Sequence, residues 1–230
     1  MTGTAPGKGR RRYGGQDAHE RQRRRREALM EAGLDLFGTL GYADTTIEAL
    51  CERAGLTKRY FYESFTDREA LLRAVYDAQI EPLKERLIMA VSGPGMSIEE
   101  QIDTGVALFV DGLTADPRAA RIVFLESISS GPALRARADE VIHELSDLVL
   151  ALLTEHIDGP APRTDRMEYG ALAVIGAVRQ LINHWSTRQR TTDIDELTDV
   201  CKTLFKIVYR QFLLEQSPDQ PVPRDSAAGK

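Results

Sequence analysis

Apolar residues that recur at spacings of three and four, from about residue 20 to residue 215, constrain this chain more than any other feature of its sequence. Such spacing lays a stripe along one face of an α-helix, whereas a half-buried strand needs strict alternation. No convincing period-two run occurs. Residues 20–39 carry Leu29, Ala32, Leu36, Phe37 and Leu40 on one stripe, which Gly41 ends. Thr46 stands where a side chain caps a short helix over 47–54, with Ile47, Leu50, Cys51 and Ala54 on one face. Ala54, Gly55 and Leu56 break it, and a second short helix is predicted over about 57–64 with Phe61 and Phe65 inward. Asp67 is placed to cap a long helix from 68 to about 90. Further helices are predicted over 97–114, 117–127, 132–157, 165–189 and 193–215, punctuated by "SGPG" at 92–95 and "DGPAPRT" at 158–164. The expectation is an all-α fold of about nine helices.

The net charge of -5 hides an asymmetry. Residues 1–26 hold nine Lys or Arg against Asp17 and Glu20, a balance of +7, while residues 73–230 come to -7. A basic head on an acidic body suits a protein whose one end meets phosphates. Residues 1–18, rich in Gly and Arg, are expected to be a flexible basic arm, and 216–230 a disordered tail. No apolar run approaches the length of a membrane span and no secretory leader is read at the amino end, so a cytoplasmic protein is expected. Cys51 and Cys201 fall on apolar faces and read as reduced, buried thiols. Neither the phosphate-loop, nucleophile-elbow nor zinc-protease motif occurs, and no metal-ligand spacing, so no enzyme, cofactor or metal is expected.

Two short helices joined by a Gly-containing turn form a helix-turn-helix, whose second helix enters the major groove of DNA. Here Phe61 and Phe65 can hold that helix while Thr57, Lys58, Arg59 and Tyr60 face the groove. Lys and Arg donate to guanine O6 and N7, and a Thr methyl meets that of thymine. Backbone phosphates are assigned to the helix start at Thr46, to Tyr62, to Arg68, and to Arg24 and Arg25 of the basic stretch 21–26. One such helix reads few base pairs, so two copies on a palindromic site are expected. Apolar stripes on the last two helices, Ala171 to Trp185 and Leu197 to Phe212 with Val200 and Ile207, offer a dimer face. From them Ile175, Val178, Ile182, Trp185, Leu197, Cys201, Leu204 and Val208 are assigned to the homodimer interface.

Residues 45–76, "TTIEALCERAGLTKRYFYESFTDREALLRAVY", resemble the signature of the TetR family of bacterial transcriptional regulators. The features that match are Thr46, the turn Ala54-Gly55-Leu56, Thr57, the run Tyr62-Glu63-Ser64-Phe65, and Arg68-Glu69 with Leu71-Leu72. Arg59 and Tyr60 depart from the small pair common in the family, and Glu63 replaces a position often basic or His; it is expected to pair with Arg59. The resemblance implies a helix-turn-helix domain over 19–72 and a ligand-binding and dimerisation domain over 73–215. It also implies a pocket among the central helices for an apolar or amphipathic effector that releases a repressor from its operator. Phe109, Arg121, Phe124, Ile128, Arg179 and Asn183 are the candidates to line that pocket. An activator, a regulator without a ligand, and a helical adaptor are the alternatives.

Overall fold

The computed structural model describes residues 10–127, 130–155, 165–187 and 193–216, and among them every regular element is a helix. The helices are α1 (Arg10–Thr39), α2 (Ile47–Ala54), α3 (Lys58–Ser64), α4 (Arg68–Val91) and α5 (Ile98–Thr114). They continue with α6 (Pro117–Arg121), α7 (Pro132–Glu155), α8 (Asp165–Thr187) and α9 (Ile194–Gln216). A π-helical turn, Ile122–Glu126, extends α6. Residues 1–9, the candidate Ile128 and the tail beyond Gln216 lie outside the described residues.

Helix starts fall where the sequence supplies caps. Thr46 Oγ1 accepts from Ala49 N at 3.1 Å, and Asp67 Oδ1 from Ala70 N at 2.8 Å. Ser97 and Glu100 close a full capping box at the start of α5. Helix α1 instead begins at Arg10, ahead of the start predicted at 20. Its first turns carry no apolar stripe, so periodicity gives no signal there. Pairs such as Glu20 with Arg23 at 2.9 Å and with Arg24 at 3.2 Å are of the kind that sustain an exposed helix.

The buried apolar side chains form one cluster from Leu29 to Phe212. Phe37, Leu50, Phe61, Leu71 and Ile80 anchor its amino-terminal part, and Leu113, Phe124, Leu134 and Ile182 the remainder. Each such side chain contributes about 1.5–3 kcal/mol when removed from water. Helix α1 packs on α2, α3, α4 and α6; α5 packs on α4 and α9; α7 packs on α4 and α8. Where α1 crosses α6, a Cβ on Gly38 would lie 2.4 Å from the Arg118 Cβ and 2.7 Å from its Cα. Only hydrogen allows that approach.

Candidate functional site

The turn between α2 and α3 is built on Gly55, whose φ of 65° and ψ of 33° are left-handed. Its N–H donates to Glu52 O at 3.1 Å and that of Leu56 to Cys51 O at 2.8 Å, which closes the end of α2. Phe61 and Phe65 are buried beneath α3. Thr57, Lys58 and Arg59 are exposed at its amino end, and Tyr62 is 58% exposed. The Thr57 side chain makes no cap hydrogen bond. Burial of one face therefore fixes which residues the other presents.

The cations of this face are held by carboxylates. Lys58 pairs with Glu48 of α2, and Arg59 Nε donates to Glu63 at 3.0 Å as expected. The Lys58 ammonium beside it holds the Glu48 carboxyl below the usual range. Arg25 lies 4.3 Å over the Tyr60 ring and 3.7 Å from Glu63, so Tyr60 is half-buried under α1. Arg24 remains exposed and donates to Glu20. The basic stretch is thus a part of α1 packed against α3.

Arg68 has a different place from the one assigned to it. Its Nη1 donates to the carbonyls of Tyr42, at 3.1 Å, and Thr45, and its guanidinium lies 4.6 Å over the Tyr42 ring. It ties the start of α4 to the loop before α2, which fixes the entry angle of the helix pair.

Arg121 is also corrected. It lines neither of the apolar cavities below. Its guanidinium donates to Thr39 O at 3.1 Å and Leu40 O at 3.4 Å, and Nε donates to Glu126 at 3.1 Å. Glu126, buried, also accepts from Tyr42 N at 3.2 Å and Ser130 Oγ at 3.0 Å. The π-helical turn therefore grips the loop that enters the helix-turn-helix.

Between α4, α5, α7, α8 and α9 lies a cavity of about 70 Å³. Phe109 lines it, with Leu87, Val91, Leu145, Ile175 and Phe205 among the apolar walls. A smaller cavity of about 30 Å³ adjoins it through the shared Phe109, Leu145 and Ile175. Phe124, Arg179 and Tyr76 line the smaller one, and burial pushes the Tyr76 phenol pKa up. Asn183 lines neither. The sequence reading missed Tyr76 and Gln101, which also lines the larger cavity. A polar Gln among Ile98, Ile102 and Gly105 was the available signal.

On α8 and α9 the assigned dimer face divides. Ile175, Val178, Ile182, Trp185, Leu197 and Cys201 are buried within the single chain, and Leu204 and Val208 half-buried. The six have no surface left for a partner. The exposed large apolar groups are Tyr169 (69%) and Leu172 on α8, with Ile194, Val200 (45%) and Ile207 (58%) on α9. Burial pushes the Cys201 thiol up to about 11. Among the described residues no group of three or more His, Cys, Asp or Glu is placed to hold a metal. No described helix is long and apolar enough to cross a membrane.

Comparison with known proteins bears on this geometry. Residues 29–75 match the family described as bacterial regulatory proteins, tetR family. The HTH-type transcriptional regulator RutR of Escherichia coli (strain K12) is 29% identical over 129 residues, 54% of this chain and 57% of RutR. The chain thus spans little more than half the length of that curated relative. The HTH-type transcriptional activator FasR of Mycolicibacterium smegmatis is 23% identical over 176 residues, 76% of this chain and 78% of FasR. Among solved structures, FadR of Bacillus subtilis in complex with stearoyl-CoA superposes with a TM-score of 0.67 at 15% identity, over 80% of this chain and 97% of FadR. A TetR-like regulator from Rhodococcus gives 0.65 at 18%, over 82% of this chain and 96% of that one. At these identities the two superpositions establish the fold.

Proposed function

The chain belongs to the TetR family through residues 29–75, and from that premise we propose that it is a sequence-specific transcriptional regulator, a repressor released from its operator by a small ligand. The observation that carries the reading is the presentation of Thr57, Lys58 and Arg59 at the exposed amino end of α3, above the buried Phe61 and Phe65. Cations there reach base edges once they exchange carboxylate for nucleic acid. Arg24 and Tyr62, both exposed, flank them for phosphate contact. Arg25 and Tyr60 shape the same face from beneath.

A homodimer acting in the cytoplasm is part of the proposal. Tyr169, Leu172, Val200 and Ile207 form its interface, two α8–α9 pairs making a four-helix bundle. The effector occupies the adjoining cavities, its polar end near Arg179 and Tyr76 and its apolar part past Phe109. Helix α4 contributes Leu87 and Val91 to the cavity wall and Arg68 to the support of the helix pair. A ligand that favours one setting of α4 weakens DNA by the factor by which DNA weakens the ligand.

The test is a footprint of the purified protein on DNA flanking its own gene, over a salt series, beside Lys58→Ala/Arg59→Ala. A protected near-palindrome that the double variant loses is expected. Unpatterned binding shared by both proteins would leave only attraction to phosphates.

A further inference from the structure

Gln101 stands at the wall of the larger cavity and is 4% exposed. Every other described residue of that lining is Leu, Val, Ile, Phe or Gly. Its amide has one fixed orientation, because Nε2 donates to Val91 O at 2.9 Å; a flipped amide would set oxygen against oxygen. Oε1 is then an acceptor, shielded from solvent, with no hydrogen-bond partner among the described residues. A buried acceptor left unsatisfied carries a desolvation cost, and native structures rarely keep one without a reason. Helix α5 places Phe109, where the two cavities meet, about 12 Å beyond Gln101 along its axis.

We propose that Gln101 selects the effector. Its Oε1 accepts a hydrogen bond from a hydroxyl or amide N–H on the part of the ligand that fills the larger cavity, which is otherwise slim, apolar and uncharged. A carboxylate brought there would meet no cation in the lining and would set its oxygens against the acceptor Oε1. An ether of the same shape would leave Oε1 unsatisfied. A hydroxyl, more strongly hydrated in water than an ether, gains from entering this wall only if an acceptor meets it. The inference rests on the ligand-responsive reading above and adds the chemistry of its ligand.

The experiment is titration calorimetry on the full chain with octan-1-ol and its isostere heptyl methyl ether, repeated with Gln101→Met. That variant keeps length and volume and removes the acceptor. The wild type is expected to bind the alcohol about tenfold more tightly than the ether, the size of one satisfied hydrogen bond. In Gln101→Met, with thermal unfolding as the fold control, the two are expected to bind within about twofold. Equal binding by the wild type overturns the proposal and leaves the cavity reading intact, as does a preference that survives in the variant. Failure of both compounds to bind the wild type removes the ligand-responsive reading, and this inference with it. Should the variant not fold, the wild-type ratio alone decides.

Discussion

The carboxylate of Glu126, at the end of the π-helical turn, accepts a hydrogen bond at 3.2 Å from the backbone N–H of Tyr42, in the loop that leads into α2. Arg121 completes the clasp from the same segment. The link joins cavity-bearing helices to the helix-turn-helix by side chain rather than by continuous chain.

Glu126→Ala should therefore lower the unfolding free energy by about 2 kcal/mol, since it strands a part-buried N–H and a guanidinium that is only partly solvated. Glu126→Gln keeps an acceptor for Tyr42 and should lose about half as much. Urea unfolding followed by circular dichroism measures both, and equal stability of all three proteins would show that the clasp carries no weight.

Glu48→Gln should tighten binding to the operator. It frees Lys58 from its carboxylate and removes a negative charge from beside the phosphates. Both are surface effects, so the gain should be about fivefold at 0.1 M salt and shrink at higher salt. Fluorescence anisotropy with a labelled operator reads it directly; unchanged or weaker affinity would place Lys58 away from DNA.

Ile207→Asp should yield a folded monomer. Ile207 is 58% exposed in the single chain, so a charge there costs the protomer's fold little but is buried in a two-fold bundle. Ile182→Asp, at 0% exposure, should instead destabilise the protomer. Sedimentation analysis beside thermal unfolding separates the two.

Acid should loosen the junction of α4 and α7. Lys84 and then Arg137 hold the Glu144 carboxyl below the usual range, against the effect of burial. A carboxyl whose folded pKa is depressed contributes stability above its unfolded value, about 4.3, and loses it as pH falls through the folded one. The difference in urea midpoint between wild type and Glu144→Gln should be steady from pH 7 to about 5 and shrink progressively below about pH 4. A difference that does not change with pH would deny the linkage.

Much of the fold was legible because a period of 3.6 and a capping side chain leave marks in sequence, as at Thr46, Asp67 and Ser97. The helix-turn-helix was legible for the same reason, with Gly55 added. What an apolar stripe does not say is which surface covers it. Cys201 and Ile207 sit on one predicted stripe, yet the chain buries the first and exposes the second. Nor does sequence say where a long cation ends up. Arg121 looked like a polar group in a pocket and proved to be half of a clasp with Glu126, because their meeting with residues 39–42 depends on the close crossing of α1 and α6 at Gly38. Gln101 escaped notice because its meaning lies in one oxygen atom, and residue type does not reveal which end of an amide is engaged.

The carboxylates around the reading face have a consequence for discrimination. Residues 19–72 hold nine Lys or Arg against ten Asp or Glu. A head so nearly self-neutralised has little to offer random sequence, where attraction is almost wholly phosphate to cation. On the proposed reading it should leave such sites quickly and stay where base edges add their own contacts. Since a genome presents about a million or more competing positions, occupancy of one operator follows the ratio of the two affinities rather than either alone. On that reading Glu48 and Glu63, paired with Lys58 and Arg59, should act on the denominator of that ratio most.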